Sequence, residues 1–534
     1  MTAPANAPPK EDSGSERASA LALVETLTAA CQASPAKAEP RVALALALLR
    51  ANRAAEAFAP AEQAVALAPR FAAAQAARTA VLEALQAGDP ALVALELTSV
   101  LEPENAGAQL SLGEAYAGLG RPQDAERCFK RALALGRTTE ASADLAALYL
   151  SVGMLDAAEH HARAVLGGPD RGARDDTAFA MAHQALAGVL KARGDAAGAD
   201  ACLDTAYRRQ SLFHQPAAGA AFTTLVLTSR RAGNTPYETL MPAHRYDRAV
   251  WCMEYASARQ GALLPDYAVV LNAIGDADIA IDSRPAVSAF LGRNTRPVLN
   301  RPERIDATFR SRLAGTLAGI DGVLTPRTVR IGAPRLASIG LTAAVEATGL
   351  ALPVLVRPVG LHGGEGLVLA LDAASLGSVD LTGAGDVYVS SFVDYRSPDG
   401  FYRKYRAIFV DRQPFAYHLA ISSQWMVHHR SSEMADDPAR KAEELAFLRD
   451  PVVAIGAPAM RALTEIAERL DLDYAGVDFG LTADGQVLVF EANATMLTHL
   501  EAEDGPFAAK NPYVRRIIDA FQAHLDAVAA QARG

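Results

Sequence analysis

Residues 38–214 repeat one template of small and apolar positions, and that repetition limits the fold more than any other feature of the chain. One copy reads Leu112-Gly113, Tyr116, Gly120, Ala125, Phe129 and Ala132. The same places are filled by Leu145-Ala146, Tyr149, Gly153, Ala158, Ala162 and Val165, then by Leu186-Ala187, Leu190, Gly194, Ala199, Leu203 and Ala206. Upstream, Leu44-Ala45, Leu48, Ala57, Ala61, Ala64 and Pro69 follow it, and Pro103 closes a more degenerate unit. A period of about 34 residues with small side chains at fixed points is the mark of stacked helix–turn–helix units. A residue as small as Gly113 lets two helices approach closely, Ala125 opens the packing face of the second helix, and Gly120 turns the chain. A solenoid of this kind has no chemistry of its own; it offers a concave face to a partner.

The spacing resembles the tetratricopeptide repeat, with about five units. The resemblance implies an all-α solenoid that recruits a peptide or protein. Ahead of it, residues 1–37 open MTAPANAPPKEDSGSER and read as a partly disordered tail followed by a first helix. That opening is polar and Pro-rich, so no secretory signal is expected. No window reaches the ~18 uninterrupted apolar residues of a membrane span. The formal net charge of −10 gives no overall electrostatic reason to seek nucleic acid or anionic membrane. The 4 Cys are widely spaced with no C-x-x-C pair, which argues against a disulfide framework and fits a reducing, cytoplasmic compartment.

After Gln210 the period breaks. QPAAGAA (215–221) reads as a linker, and strand-like runs follow at Thr223–Thr228, Tyr267–Ala273, Pro297–Leu299, Pro353–Arg357 and Val387–Phe392. More follow at Ala407–Val410, Phe415–Ile421, Gly476–Leu481 and Val487–Glu491. Short apolar strands alternating with helical stretches indicate α/β and α+β structure. The expected division is an α/β domain over 218–305 and an α+β domain over 306–534, where the chemistry must lie.

No G-x-x-x-x-G-K-[ST] is present, which excludes a Walker-type site. The segment ALPVLVRPVGLHGGEGLVLAL (351–371) sets Gly360, Gly363, Gly364 and Gly366 between two strands. Glycine lets backbone N–H groups approach phosphate oxygens, and Arg357 ends the first strand within reach of the same place. An ordinary Gly-rich hairpin would look alike. GVDFGLTADGQVLVFEANATM (476–496) reads as a hairpin turning at Asp484-Gly485. It sets Asp478 on one strand and Glu491 and Asn493, two apart and so on one face, on its neighbour. Three oxygen ligands suit Mg²⁺ or Mn²⁺, and two adjacent carboxylates between apolar flanks need a cation. A solvent-exposed acidic face fits those flanks poorly.

Taken in order, Arg357-Pro358, the Gly-rich loop, VYVSSFVDY, RAIFVD and VDFG…FEAN resemble the ATP-grasp superfamily over about residues 220–530. Its ligases include glutathione synthetase, D-alanine–D-alanine ligase and the ribosomal-protein glutamate ligase. The resemblance implies that residues 218–305 form the domain preceding the ATP-grasp fold, and that Asp478, Glu491 and Asn493 hold the metal. It places Arg310 and Arg357 where the family usually has phosphate-binding lysines, and Val389, Ser390, Ser391 and Phe392 where backbone holds adenine. Arg406 matches an arginine set near an acyl phosphate. The implied function is ATP- and Mg-dependent joining of a small carboxylate or peptide to an amine or thiol. A scaffold that only binds nucleotide, or a kinase that stops at phosphoryl transfer, are the alternatives.

Other features carry less. His362 lies in the Gly-rich loop and reads as a loop residue or a γ-phosphate contact. His428 and His429 are adjacent and cannot share one zinc in a strand. His499 follows the metal hairpin and could line an acceptor pocket. Arg403, Lys404 and Arg406 form a basic run before a strand expected to border the site.

Overall fold

A Cβ at Gly113 would stand 2.5 Å from the Phe129 ring, so the repeat template needs glycine there for two helices to touch. Phe129 is buried between helices Ala106–Gly118 and Pro122–Ala134, and Ala125, Ala132, Ala158 and Ala162 are fully enclosed. Gly120, Gly153 and Gly194 have φ of +69°, +77° and +87°, a left-handed turn that glycine enters without strain. Among the described residues eleven helices run from Ser13–Ala33 to Ala196–Arg209, each packing on the next. The computed structural model describes residues 13–533 apart from 52, 88–89, 168–175, 218–219, 231–232, 362, 428–433 and 503–504. The expectations for His362, His428 and His429, and for the tail before Ser13, lie outside the described residues. No helix among the described residues is long and apolar enough to cross a membrane.

The helical run ends at Arg209, where the sequence period also breaks. Leu212–Gln215 (β1) pairs antiparallel with Asp247–Cys252 (β3), so the first sheet begins before the expected linker. Thr223–Thr228 (β2), Val269–Asn272 (β4) and Val298–Leu299 (β5) complete it in the order β1-β3-β2-β4-β5, with β2 to β5 parallel. Strands β2 and β4 are almost wholly buried, which fits their unbroken Leu and Val runs. Strand β3, which contains Asp247 and Arg248, was not anticipated. Arg248 is only 4% exposed there, its guanidinium donating to the Met241 carbonyl and Gln215 Oε1 at 2.6 Å each.

The second sheet is antiparallel, Thr328–Ile331 (β7), Val387–Ser391 (β10), Val354–Pro358 (β8) and Val368–Ala370 (β9) in that spatial order. The third is ordered Gln413–Ser422 (β12), Tyr402–Val410 (β11), Tyr474–Leu481 (β13), Val487–Asn493 (β14) and Val323–Leu324 (β6), antiparallel except for β6. One face of the third sheet packs on helices Pro438–Arg449 and Ala457–Leu470 through Phe447, Leu463 and Phe479. Elsewhere Ile408 and Tyr474 of this sheet join Val226 and Leu271 of the first sheet and Phe521 and Leu525 of the C-terminal helix Asn511–Gln531 in one core. Residues 218–305 and 306–534 therefore share a core. Burying each large side chain there contributes about 1.5–3 kcal/mol.

Candidate active site

The second and third sheets enclose a cavity of about 510 Å³, and its charged end is built by β11, β13 and β14. The β13–β14 hairpin turns at Asp484-Gly485, with Gly485 at φ +81°. Phe479 pairs with Val489, but the next pair is Asp478 with Glu491, so Phe490 is an extra residue in the ladder. In unbroken register Glu491 would oppose Val477 on the other face; the bulge brings the two carboxylates together. Arg406 is the partner of Asp478 across β11, and Lys404 lies two residues away on the same face.

Each carboxylate already has a cation. Arg406 Nε and Nη2 donate to the two Asp478 oxygens at 2.6 and 3.0 Å, and Lys404 Nζ lies 2.9 Å from Oδ2. Burial works to raise the Asp478 carboxyl, which is 2% exposed, but Arg406 and Lys404 override it and hold it well below the ordinary aspartate range. Glu491 is ion-paired with Arg310 from the first turn of helix Arg310–Thr316. Burial raises Glu491 and Arg310 lowers it, with a net lowering despite Asp478 opposite. Arg357 differs. Its guanidinium donates to the Leu361 carbonyl, and among the described residues it forms no ion pair. Burial and the nearby Arg310 charge push its pKa down to about 10, which leaves it charged at neutral pH.

Gly360, Gly363, Gly364 and Gly366 all have positive φ, from +62° to +84°. Gly363 and Gly364 border the cavity, so the loop between β8 and β9 presents backbone to it. Gly366 packs instead against Pro358, 3.0 Å from where its Cβ would lie. Ser390, Ser391 and Phe392 line the wall, while Val389 points into the core of the second sheet. The N–H groups of Ser391 and Phe392 are taken by the Arg327 and Pro353 carbonyls, at 3.1 Å each. Thr328 and Ser390 hydroxyls share a 2.8 Å hydrogen bond.

Asn493 stands on the carboxylate face, opposite Gly476, but does not line the cavity. Its Oδ1 accepts from Thr495 N and Oγ1 at 2.9 and 2.8 Å, and Met496 covers Gly476 beside it. His499 is also elsewhere, bonded to Tyr417 at 3.1 Å and facing Glu501 at 3.4 Å. The basic run splits by strand alternation: Arg403 turns outward to Asp399 and Glu443, while Lys404 and Arg406 enter the cavity. Sequence reasoning missed the apolar end, where Leu355, Trp425, Val427, Leu488 and Phe490 gather. Trp425 meets Phe392 edge to face, with ring centroids 5.9 Å apart. No local pattern marks this apolar end, because Trp425 and Phe392 lie beyond the ends of their strands and meet only in the fold. The cavity thus offers a hydrophobic slot for a flat group and, beside it, four cations (Arg310, Arg357, Lys404, Arg406) against two carboxylates.

No protein-family model matches this chain, and no curated protein does. Solved structures resemble part of it. A RimK-domain ATP-grasp protein from Sphaerobacter thermophilus is 16% identical, over 58% of this chain and 100% of its own, with a TM-score of 0.34. D-alanine–D-alanine ligase from Bacillus anthracis, complexed with ATP, is 12% identical over 58% of this chain and 99% of its own, with a TM-score of 0.35. Carboxyaminoimidazole ribonucleotide synthase from Aspergillus clavatus, complexed with ATP, is 11% identical over 56% and 77%, also with a TM-score of 0.35. Likeness at this level says nothing of which substrate this chain takes.

Proposed function

We propose that the chain is an ATP-grasp ligase with a tetratricopeptide-like solenoid, joining a carboxylate to an amine or thiol through an acyl phosphate. The observation that carries this reading is Arg357, a half-buried guanidinium on the cavity wall without a carboxylate partner among the described residues. A buried cation is costly unless an anion meets it. Beside it lie Gly363, Gly364 and Arg310, a set suited to a polyphosphate, and the aromatic slot suits a purine. Mg²⁺ bound here would neutralise charge on the phosphates. Asp478 and Glu491 supply hard oxygens for it, and the remaining positions would fall to phosphate oxygens or water. No three His, Cys, Asp or Glu side chains cluster as a metal nest among the described residues, so a third protein ligand would have to be Asn493, released from Thr495. Arg310 and Arg357 would hold phosphate bidentately, and Arg406, fixed by Asp478, would face the acyl phosphate. The solenoid would bring a peptide or protein to this site.

One observation favours a second reading. Asp478 and Glu491 are each neutralised by protein cations, an arrangement that also suits a nucleotide-binding scaffold that does not turn over. Titration of Mg·ATP by calorimetry, followed by a screen of amino acids and peptides for acceptor-dependent ADP release, separates the two. Binding with ADP and free phosphate supports the ligase; binding without turnover for any acceptor supports the scaffold; absence of binding removes both.

A further inference from the structure

Asp478 carries two protein cations where one would neutralise it. Arg406, its cross-strand partner, donates from Nε to Oδ1 at 2.6 Å and from Nη2 to Oδ2 at 3.0 Å, so both oxygens are already met. Lys404 Nζ adds a second contact to Oδ2, at 2.9 Å. Glu491 has its own cation in Arg310. Lys404 is therefore surplus to the ion pairing of the protein itself.

That charge has no second partner. Lys404 lines the cavity with its side chain 17% exposed, and among the described residues Asp478 is its one ion-pair partner. Across the ladder on β12 it meets Ala420, which is fully buried and offers no side-chain acceptor. An ammonium has three N–H donors, and taken out of water it needs acceptors for them or an anion beside it. Arg357 borders the same cavity, also without an ion pair among the described residues, so both unmatched charges face one space.

The two cations on Asp478 differ in how easily they can leave. Arg406 is fixed by a planar two-point contact to the residue directly opposite, and its release would break both bonds at once. Lys404 reaches in from two residues away on β11, on a flexible four-carbon stem, and makes one contact. A divalent ion approaching Oδ2 is repelled by that ammonium, and the two cannot share the oxygen at close range.

We propose that Lys404 is a displaceable stand-in for the metal. In the ligand-free protein it occupies Oδ2 of Asp478; it yields that oxygen to a divalent ion and turns its ammonium to the phosphate anion that arrives with the ion. This rests on the reading of the cavity as a Mg·ATP site. Metal and nucleotide binding become mutually dependent, since a metal ion alone would displace Lys404 with no anion to receive it. The Arg406 pair need not break, so a neutralised Asp478 is compatible with turnover.

The test follows Mn²⁺ binding to the full chain without nucleotide, from the free-ion signal in electron paramagnetic resonance. Lys404→Met should bind Mn²⁺ more tightly than the parent by about tenfold or more, because a like charge at hydrogen-bond distance from the ligand oxygen is gone. Lys404→Arg, which keeps the charge, should stay as weak as the parent. So should Lys191→Met, which removes an exposed lysine from helix Asp176–Ala192. Asp478→Asn added to Lys404→Met should abolish the gain. Lys404→Gln, neutral but able to donate to Asp478, should show the gain if the Met variant does not fold. By calorimetry, the factor by which Mg²⁺ raises ATP affinity over that in EDTA should shrink in Lys404→Met. Unchanged Mn²⁺ affinity in both neutral variants, in a parent that binds Mg·ATP, would overturn this proposal and leave the proposed function standing. So would an equal gain in Lys191→Met, which would reduce the effect to net charge, or a gain that survives Asp478→Asn. Failure of the parent to bind Mg·ATP would overturn the nucleotide reading and this proposal with it.

Discussion

Asp478 and Glu491 face each other across β13 and β14 because Phe490 bulges from the ladder, and each is held by a different arginine, Arg406 and Arg310. The site is therefore electrically closed at its carboxylates and open at its cations. Ligand anions have a ready partner in Arg357, whereas a metal must loosen existing ion pairs.

Glu491→Gln should leave Arg310 in a buried place without its ion pair. Removing one partner of a buried pair costs about 3–5 kcal/mol; with Glu491 still 23% exposed, about 1–3 kcal/mol is expected here. The apo protein should melt several degrees lower. Stabilisation by Mg·ATP should shrink, as it scales with RT ln(1 + [L]/Kd). Thermal melts with and without Mg·ATP check this, and an undiminished ligand shift would remove Glu491 from the site.

Arg357→Lys keeps the charge and should hold Mg·ATP within about tenfold, or 1.4 kcal/mol. Arg357→Met removes a half-buried cation that has no ion pair among the described residues, so the apo protein should be as stable as the parent or more so, while Mg·ATP affinity falls well beyond tenfold. Opposite movements of melting temperature and affinity are the signature. Calorimetry showing equal affinity for the parent and the Met variant would mean that Arg357 does not face phosphate.

A chain starting at Ser211 should fold and bind Mg·ATP as the full chain does, because it keeps β1 on the edge of the first sheet. Starting at Ala217 strips β1 from β3 and exposes the partner of Arg248, Gln215, to loss. The shorter chain should melt lower. Equal melting temperatures would show that β1 contributes nothing to the sheet.

Asp144 is 9% exposed in helix Thr138–Ser151, without a hydrogen-bond or ion-pair partner among the described residues. Its carboxyl is held above the ordinary aspartate range, first by burial and then by Glu114 and Glu140, and the sign of its pH dependence follows. The folded state keeps a proton that the unfolded state has released, so this group makes stability fall as pH rises through the folded value. The stability gained by Asp144→Asn should accordingly be present at pH 8 and shrink as pH is lowered toward the ordinary aspartate range. Urea denaturation at several pH values measures it; a gain independent of pH would mean that Asp144 is already neutral throughout.

Local pattern carried much of this architecture. The VLVF and VDFG runs flanking Asp484-Gly485 give a hairpin by alternation and turn chemistry alone, and β2 falls where Thr223–Thr228 was expected. The Phe490 bulge was not legible, since one extra residue leaves composition and spacing unchanged while reversing which face Glu491 occupies. Nor was the Arg310–Glu491 pair, which joins residues far apart in sequence. Asn493 fell on the expected face but turned to Thr495, a local hydrogen bond that competes with any ligand role. Strand β3 escaped because Asp247 and Arg248 open it and leave only the short apolar run Ala249–Cys252, and only tertiary partners make Arg248 tolerable there.

The core that Phe521 and Leu525 share with Val226 and Leu271 bears on how the chain is made. During synthesis the N-terminal helices can pack as they emerge, since each leans on its predecessor. The first sheet cannot finish in the same way. Its strands leave the ribosome well before the helix that covers one side, Asn511–Gln531, which follows them only far along the chain. Until then Val226, Val269 and Leu271 present an uncovered apolar surface, the kind that nascent chains shield with chaperones or by slow elongation.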